Sequence, residues 1–456
     1  MKLFESNISI VDFYKINKEN FSEEFIILDS ANKSKLSNYS YICAYFNNKI
    51  TLKDNLVKFN NQIIEENIFY KAREILEINN NKKYKYPFYN GGLIGIISYD
   101  YNKYIEKLPN IAKDDLGIED IYFVMPNLII VKDEKTNEFY ELNYSDKRFK
   151  WNNTINFKNN IEIIEEDVEW EDIKNFIPNM SKEQFEKIVE KAKYYIKEGD
   201  VFQVNLSQRF MTEFPDEDSF YLYEILRKIN PSPFASFINL KEFRLISQSP
   251  ERLVKLENNK IETRPIAGTR RIKKDNKIDN INFEKELKID EKELAEHVML
   301  VDLERNDIGK ISKIGTVKVN EFMVIEKYSH VMHIVSNIIG ELDKKYDGFD
   351  VINAMFPGGT ITGAPKIRTM EIIEELEPTK RGFYTGSMGF IDFNGNIDFN
   401  IIIRSFIQKE NKVYFQVGAG IVYDSDPKKE YKETINKARA MILAYKNYIN
   451  NKKGKI

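Results

Sequence analysis

Apolar and polar positions divide the chain into two stretches of different rhythm. Up to about residue 145 the pattern reads mainly as strands, in EEFIILDS, YSYICAYF, GGLIGIISYD and FVMPNLIIVKD, separated by Asn, Lys and Gly clusters. Residues 66–78 suit one intervening helix. A polar stretch from Asp146 to about Asn179, carrying both Trp151 and Trp170 and many acids, reads as a connection or surface excursion. From Ser181 the periods sharpen: SKEQFEKIVEKAKYYIKEG predicts an amphipathic helix with Ser181 as N-cap and Gly199 as its stop, followed by the strand DVFQVNLSQRF. Further strands are expected at LISQSPERLVKLE, TGSMGFIDF, IDFNIIIRSF and KVYFQVGAGIVY, and helices over 290–304, 328–340, 365–376 and 428–448. Hairpin-like strand spacing with helices gathered between strands predicts an α+β architecture of large antiparallel sheets flanked by helices.

Composition narrows the function classes. The chain of 456 residues has a formal charge of -3, with neither the basic excess that suits nucleic acid nor a long acidic tail. Its start, MKLFESNISI, lacks an apolar secretory core, and no run of about 18 apolar residues occurs, so no membrane association is expected and the protein is expected to be cytoplasmic. The single cysteine, Cys43, excludes an internal disulfide framework and lies in an apolar strand pattern that suits a buried structural thiol.

Two distant segments carry glutamates three residues apart: Glu293 and Glu296 in DEKELAEHVMLVDLERND, and Glu430 and Glu433 in DSDPKKEYKETINKARAM. On a helix that spacing puts both carboxylates on one face, and two such helices brought together would offer four acids to a hard divalent cation such as magnesium. Either pair alone is more often a solvated helix face. The second helix has a clear start, Asp426 as N-cap and Pro427 at the first position, and Lys437 continues the face of Glu430 and Glu433. Just before it, Gly418, Ala419 and Gly420 let backbone N–H groups approach a ligand. FPGGTITGAPK, Phe356 to Lys366, is a second small-residue turn feeding a helix, but Ala364 and Pro365 stand where a nucleotide-binding loop needs Lys and Ser or Thr, which favours a carboxylate over a nucleoside phosphate. Arg404, between apolar neighbours in NIIIRSF, is a bidentate partner for such a carboxylate or for a structural acid. His297, His330 and His333 lack zinc-site spacing, and one of them polarising or hydrogen-bonding a substrate oxygen is the expectation. In SPERL, Glu251 falls between strands, where a lone carboxylate could act as general acid, and ETRPIAGTR sets Thr269 behind a turn.

Over nearly its whole length, and most from Ser181 onward, the sequence resembles the chorismate-utilising enzymes, the family of anthranilate synthase component I and aminodeoxychorismate synthase component I. The resemblance implies a chorismate-binding fold, two large antiparallel sheets packed as a sandwich with helices outside, and dependence on Mg2+. It implies an N-terminal region over 1–165 and a catalytic domain over 181–450, packed as one unit. Carried over by position, it makes Glu296 and Glu433 the metal ligands with Glu293 and Glu430 in support, Glu251 the general acid, and Tyr384, Arg404 and Gly418 to Gly420 the holders of the enolpyruvyl carboxylate. His333, Thr360 and Lys437 would surround the ring and its carboxylate, with Ala267 and Thr269 nearby.

Relatives that add water to the ring carry a lysine base where this chain has Gln203, which points to ammonia as nucleophile. PIAGT with Ala267, YSHVMH and GAGIV lean towards anthranilate synthases, because aminodeoxychorismate synthases usually read PIKGT. LDSA, PSPFASF, GGTITGAPK, YTGSMGF, Asn400 in FNIIIR and DSDP lean the other way, and this larger set favours aminodeoxychorismate synthase component I. A separate glutamine amidotransferase subunit is the expected source of ammonia, since Cys43 is not on a nucleophile turn. Ser30 matches a position that contacts tryptophan in relatives, but the Tyr-Met pair that helps them bind it is missing after Pro233, so no strong inhibition is expected.

Overall fold

The computed structural model describes residues 1–32, 36, 38–79, 86–154, 161–168, 170–271, 284–287, 289–327 and 331–453. Among these, 22 strands join into one hydrogen-bonded network with antiparallel pairings. The expected layers are portions of that network. The strand Phe25–Asp29 pairs with Phe234–Asn239, and Gly92–Ile97 pairs with Ser387–Asp392, so strands from the two ends of the chain share sheets.

The network is buried on both faces. Along Tyr39–Lys53, Ile42 and Ala44 enter one apolar cluster while Tyr41 and Cys43 enter another; along Ile121–Asp133, Ile130 and Ile129 divide in the same way. A strand with apolar neighbours on both sides needs a continuous apolar run, as YICAYF and NLIIV supply. Cys43 is fully buried, and burial raises its thiol well above the ordinary range.

Helices cover the network. Lys182–Lys197 begins at the expected cap: Ser181 Oγ accepts from the N–H of Gln184 at 3.2 Å, and the Gln184 side chain accepts from the Ser181 N–H at 2.7 Å. The long helix Pro427–Lys453 packs on it, with Tyr431 against Phe185, and on Ser219–Ile229, with Tyr448 against Tyr221. No helix among the described residues is long and apolar enough to cross a membrane.

Three expectations are corrected. The helix expected over 328–340 is a strand, Val331–Glu341, hydrogen-bonded to Ile266–Arg271 on one side and Lys318–Lys327 on the other. Its Val and Ile content suits a pleated surface, and pairing on both edges outweighs the helical spacing of its apolar residues. IDFNIIIRSF, expected as one strand, divides into Ile397–Asn400 and Ser405–Lys409, with Arg404 between them at φ +53°. The polar stretch after Asp146 is no loose excursion: Trp151 packs against Phe13, Phe21 and Phe149, and Asn447 holds Ile164 by both its N–H and its carbonyl, at 2.8 and 3.2 Å.

Candidate active site

The helix Glu291–Gly309 starts at Asp290, whose side chain accepts from the Glu293 N–H at 3.2 Å; Pro427–Lys453 starts where Asp426 accepts from the Lys429 N–H at 2.9 Å. These caps fix the rotation of each helix, and both acid pairs face one cavity of about 1300 Å³. Glu293, Glu296, Glu430 and Glu433 line it together with Gln203, Ala267, Thr360, Arg404, Gly420 and Lys437. Among the described residues no three acid, histidine or cysteine side chains lie close enough to form a metal cluster, so the pairs share the cavity without converging on one point.

Each carboxylate already has company. Glu296 Oε1 accepts from Gln203 Nε2 at 2.9 Å. Glu433 pairs with Lys437 at 2.8 Å, and the same ammonium donates to the Gly418 carbonyl at 3.0 Å. Glu430 is 8% exposed. Glycine is required at two places in the adjoining strand Lys412–Ile421: a Cβ on Gly420 would collide with Gln203 Nε2, and one on Gly418 would fall 2.5 Å from Asn205 Oδ1 and 2.9 Å from Tyr384 Oη. Ala419, between them, is fully buried.

Behind the cavity wall lies Glu251, 7% exposed. Burial pushes its carboxyl up to about 7, against the opposing pull of the Thr360 hydroxyl, the Arg404 guanidinium and the Ile266 N–H. Arg404 is held in the left-handed region, an arrangement that costs free energy and is typical of functional positions. His333 is 3% exposed, and burial first, then Arg404, push it down to about 4. Its Nδ1 lies 3.2 Å from the Gly268 carbonyl, so the neutral ring donates there through Nδ1–H and leaves Nε2 as an acceptor. Tyr384 is buried, which raises its hydroxyl above the ordinary range.

Other expected residues fall outside this assembly. Ser30 ends the strand Phe25–Asp29, where its N–H donates to Ser40 Oγ at 3.0 Å; it does not line the cavity. His297 is buried with Nε2 2.6 Å from Ser336 Oγ. His330 and the side chains of Thr269 and Trp170 lie outside the described residues. Asn205 was missed: it lines the cavity two residues after Gln203 on the same strand, and that period of two was the available signal. Neither Gln203 Oε1 nor Asn205 Oδ1 accepts a hydrogen bond among the described residues. Nothing in the sequence marked Ile163, Glu165, Glu166 and Asp167 as cavity wall; they reach it because Lys446 pairs with Glu166 and Arg439 with Asp167 along the last helix.

Comparison with known proteins places this geometry in context. The sequence matches the chorismate binding enzyme family over residues 23–443. It is 46% identical over 386 residues to aminodeoxychorismate synthase component 1 of Bacillus subtilis (strain 168), covering 82% of this chain and 80% of the relative. It is 45% identical over 376 residues to anthranilate synthase component 1 of Aquifex aeolicus (strain VF5), covering 78% and 75%. Among solved structures, anthranilate synthase component I from Streptococcus pneumoniae TIGR4 superposes with a TM-score of 0.77 at 32% identity, covering 90% of this chain and 93% of that one.

Proposed function

The chain belongs to the chorismate binding enzyme family, and we propose that within it the protein is an aminodeoxychorismate synthase component I, converting chorismate and ammonia to 4-amino-4-deoxychorismate for para-aminobenzoate and folate synthesis. The observation that carries the chorismate-aminating reading is the cavity itself, which unites both acid pairs, Arg404, Thr360 and Lys437 with Gln203 in front of a sealed acid, Glu251, and the larger motif set, from LDSA to DSDP, favours the aminodeoxychorismate member.

The chemistry follows from charge and proton state. Arg404 and the Gly418 to Gly420 backbone hold the enolpyruvyl carboxylate, with the Tyr384 hydroxyl beside it. Glu251, half protonated near neutral pH, gives its proton to the departing C4 hydroxyl, which leaves as water. The neutral His333 offers Nε2 to a substrate donor. Gln203 cannot take a proton from water, but its Oε1 and Asn205 Oδ1 are acceptors suited to the N–H groups of ammonia. The four carboxylates of the other wall do not converge on one point, but their oxygen chemistry suits Mg2+, which takes one or two carboxylates and completes its shell with waters and substrate oxygens. Glu296 and Glu433 would hold the ion with Glu293 and Glu430 in support; when bound it neutralises the ring carboxylate and draws electron density from the ring.

Ammonia requires a supplier. Cys43 is fully buried in a sheet and cannot serve as a glutaminase nucleophile, and the relatives named component 1 imply a second component. We assign that partner as a glutamine amidotransferase subunit; glutamine hydrolysis by the purified chain alone would remove the assignment.

A second reading, anthranilate synthase component I, is favoured by Ala267, which lines the cavity where aminodeoxychorismate synthases usually carry a lysine, by YSHVMH and GAGIV, and by 45% identity to an anthranilate synthase component 1. One assay separates the two. Chorismate, magnesium and an ammonium salt are incubated with the chain, and pyruvate and fluorescent anthranilate are followed. A non-aromatic amine without pyruvate supports the first reading, pyruvate with anthranilate establishes the second, and no consumption of chorismate defeats both.

A further inference from the structure

Arg381 is 1% exposed, and its five N–H donors are all used. Nε and Nη2 grip Glu377 at 3.0 and 2.7 Å. Nη2 also donates to the Asn205 carbonyl at 2.7 Å, and Nη1 donates to the Ile361 carbonyl at 3.0 Å and to Thr385 Oγ1 at 3.3 Å. Its three contacts beyond Glu377 therefore go to three separate segments, two of which line the cavity while the third carries Tyr384, whose hydroxyl lies beside Gly418. Asn205 and Gln203 share a strand, Ile361 follows Thr360, and Thr385 follows Tyr384.

The third contact reaches furthest. Thr385 sits at φ +58°, a region that β-branched residues avoid, so something must hold it there. Its N–H donates to the Ile402 carbonyl and the Ile402 N–H donates to the Gly386 carbonyl, both at 2.8 Å. The conformation of Thr385 thus sets the start of the segment that ends in Arg404. Glu377 Oε1 meanwhile accepts from the N–H and Oγ of Ser207, both at 2.8 Å, fastening the pair to the strand of Gln203 a second time.

We propose that Arg381 is the positioning residue of this site, a planar fork that fixes the segments of Gln203, Thr360 and Tyr384 relative to one another without itself touching substrate. The Arg381–Glu377 pair is neutral as a unit, so its contribution is geometry and not charge. A lysine keeps the cation but has no fork and cannot satisfy three diverging acceptors together with a carboxylate.

The inference rests on the reading of the cavity as a chorismate site, and its test separates the two ideas. Consumption of chorismate, whatever the product, is measured for the wild type, Arg381→Lys and Thr385→Val, alongside circular dichroism melting and magnesium activation. If the wild type consumes no chorismate, the functional reading has failed, not this inference.

For Arg381→Lys held well below its melting temperature, kcat/KM falls about 100-fold, the scale of a displacement of about 1 Å. The magnesium concentration for half activation changes by less than about threefold, because the acid pairs ride on other helices and meet the displaced segments at Gln203 Nε2 and Glu296. The basic limb of the pH profile moves to higher pH, because displacing the segment that ends in Arg404 weakens the pull of its guanidinium on ionised Glu251. Thr385→Val, which keeps the shape and loses the hydrogen bonds of Oγ1 with Arg381 and with the Tyr384 carbonyl, falls about tenfold in the same direction. A folded Arg381→Lys with wild-type kcat/KM and pH profile overturns the proposal. Should Arg381→Lys not fold, an active, unshifted Thr385→Val overturns it, and a folded Thr385→Val with the loss and the shift supports it.

Discussion

Two cavities of this molecule are built from different materials. The larger, of about 1300 Å³, is walled by carboxylates, ammonium and guanidinium groups from elements far apart in the chain, together with Gln203 and Asn205. The smaller, of about 550 Å³, sets seven rings, among them Tyr39, Tyr86, Phe88 and Phe234, beside acids and amides that include Asp29, Asp392, Asp398 and Asn400. Rings already stack on one another there, as Tyr86 does on Phe88 with centroids 4.8 Å apart, so the aromatic part of that lining is packed without a ligand. Among the described residues, Gln203 Oε1 and Asn205 Oδ1 in the larger cavity accept no hydrogen bond and its acids share space without converging, which leaves polar groups for the ligands proposed there. Substitutions in the first cavity should therefore change chemistry, and ligands offered to the second should change little.

The largest effect is expected at the acid pairs. Glu296→Gln or Glu433→Gln keeps shape and removes one negative charge from the proposed magnesium site, and the loss should reach about 1000-fold in kcat, equivalent to about 4 kcal/mol, at ordinary magnesium levels. Near-normal rates in either variant would take that residue out of the site and erase the contrast between the cavities. Next in size is Glu251→Gln, which removes the acid at the opposite wall and should cost about 100-fold or more. Its pH signature has a definite sign: the reaction needs the protonated carboxyl, so the wild-type rate falls as pH rises through about 7, and the residual rate of the glutamine variant loses that limb. A wild-type rate flat between pH 6 and pH 8 would argue against Glu251 as the acid.

Much of this contrast could be read from the sequence, and what could not has physical causes. The caps Ser181, Asp290 and Asp426 act within one turn of chain, so helix starts and the faces of both acid pairs were legible locally. Val331–Glu341 was read as a helix because its apolar spacing fits either period, and only its two neighbouring strands decide between them. Glu251 could be singled out as an isolated carboxylate, but its burial beside Thr360 and Arg404 depends on residues more than 100 positions away. Arg381 gave no signal, since its partners Asn205 and Ile361 accept through backbone carbonyls that any residue possesses.

A smaller effect, on stability, is expected from a second buried acid that the reaction does not use. Glu304 continues the helix of Glu296, is 4% exposed, and accepts from the Gly359 N–H at 3.3 Å. Burial pushes its carboxyl up to about 8, with Lys366 and the Gly359 N–H opposing and Asp307 and Glu251 reinforcing. A carboxyl raised above its unfolded value binds its proton more tightly in the folded state, so its contribution is fully present in acid and is lost as pH rises through about 8. Glu304→Gln keeps the acceptor for Gly359 and removes the titration. Melting of the variant should match the wild type near pH 5 and exceed it by about 2 °C or more near pH 9. A difference that does not change with pH would show that Glu304 is not the titrating group.

The smallest expected effect tests the second cavity directly. Pro233, Phe234 and Ala235 contribute to its wall where tryptophan-binding relatives carry a Tyr-Met pair after the proline. Here the Phe234 ring is occupied by the Arg252 guanidinium, 5.0 Å from its centroid, and Arg252 is itself held by Asp398 at 2.9 and 3.1 Å. Ala235 offers no side chain beyond Cβ, and Ser30 does not line the cavity. Tryptophan binding would have to displace or accommodate that ordered guanidinium, and only a difference in affinity between active and inactive states could couple it to the other cavity. Saturating L-tryptophan should therefore change chorismate turnover by less than about twofold, a coupling below about 0.4 kcal/mol. Strong inhibition, relieved by Phe234→Ala or Arg252→Ala, would instead join the two cavities into one regulated system and undo the separation drawn between them.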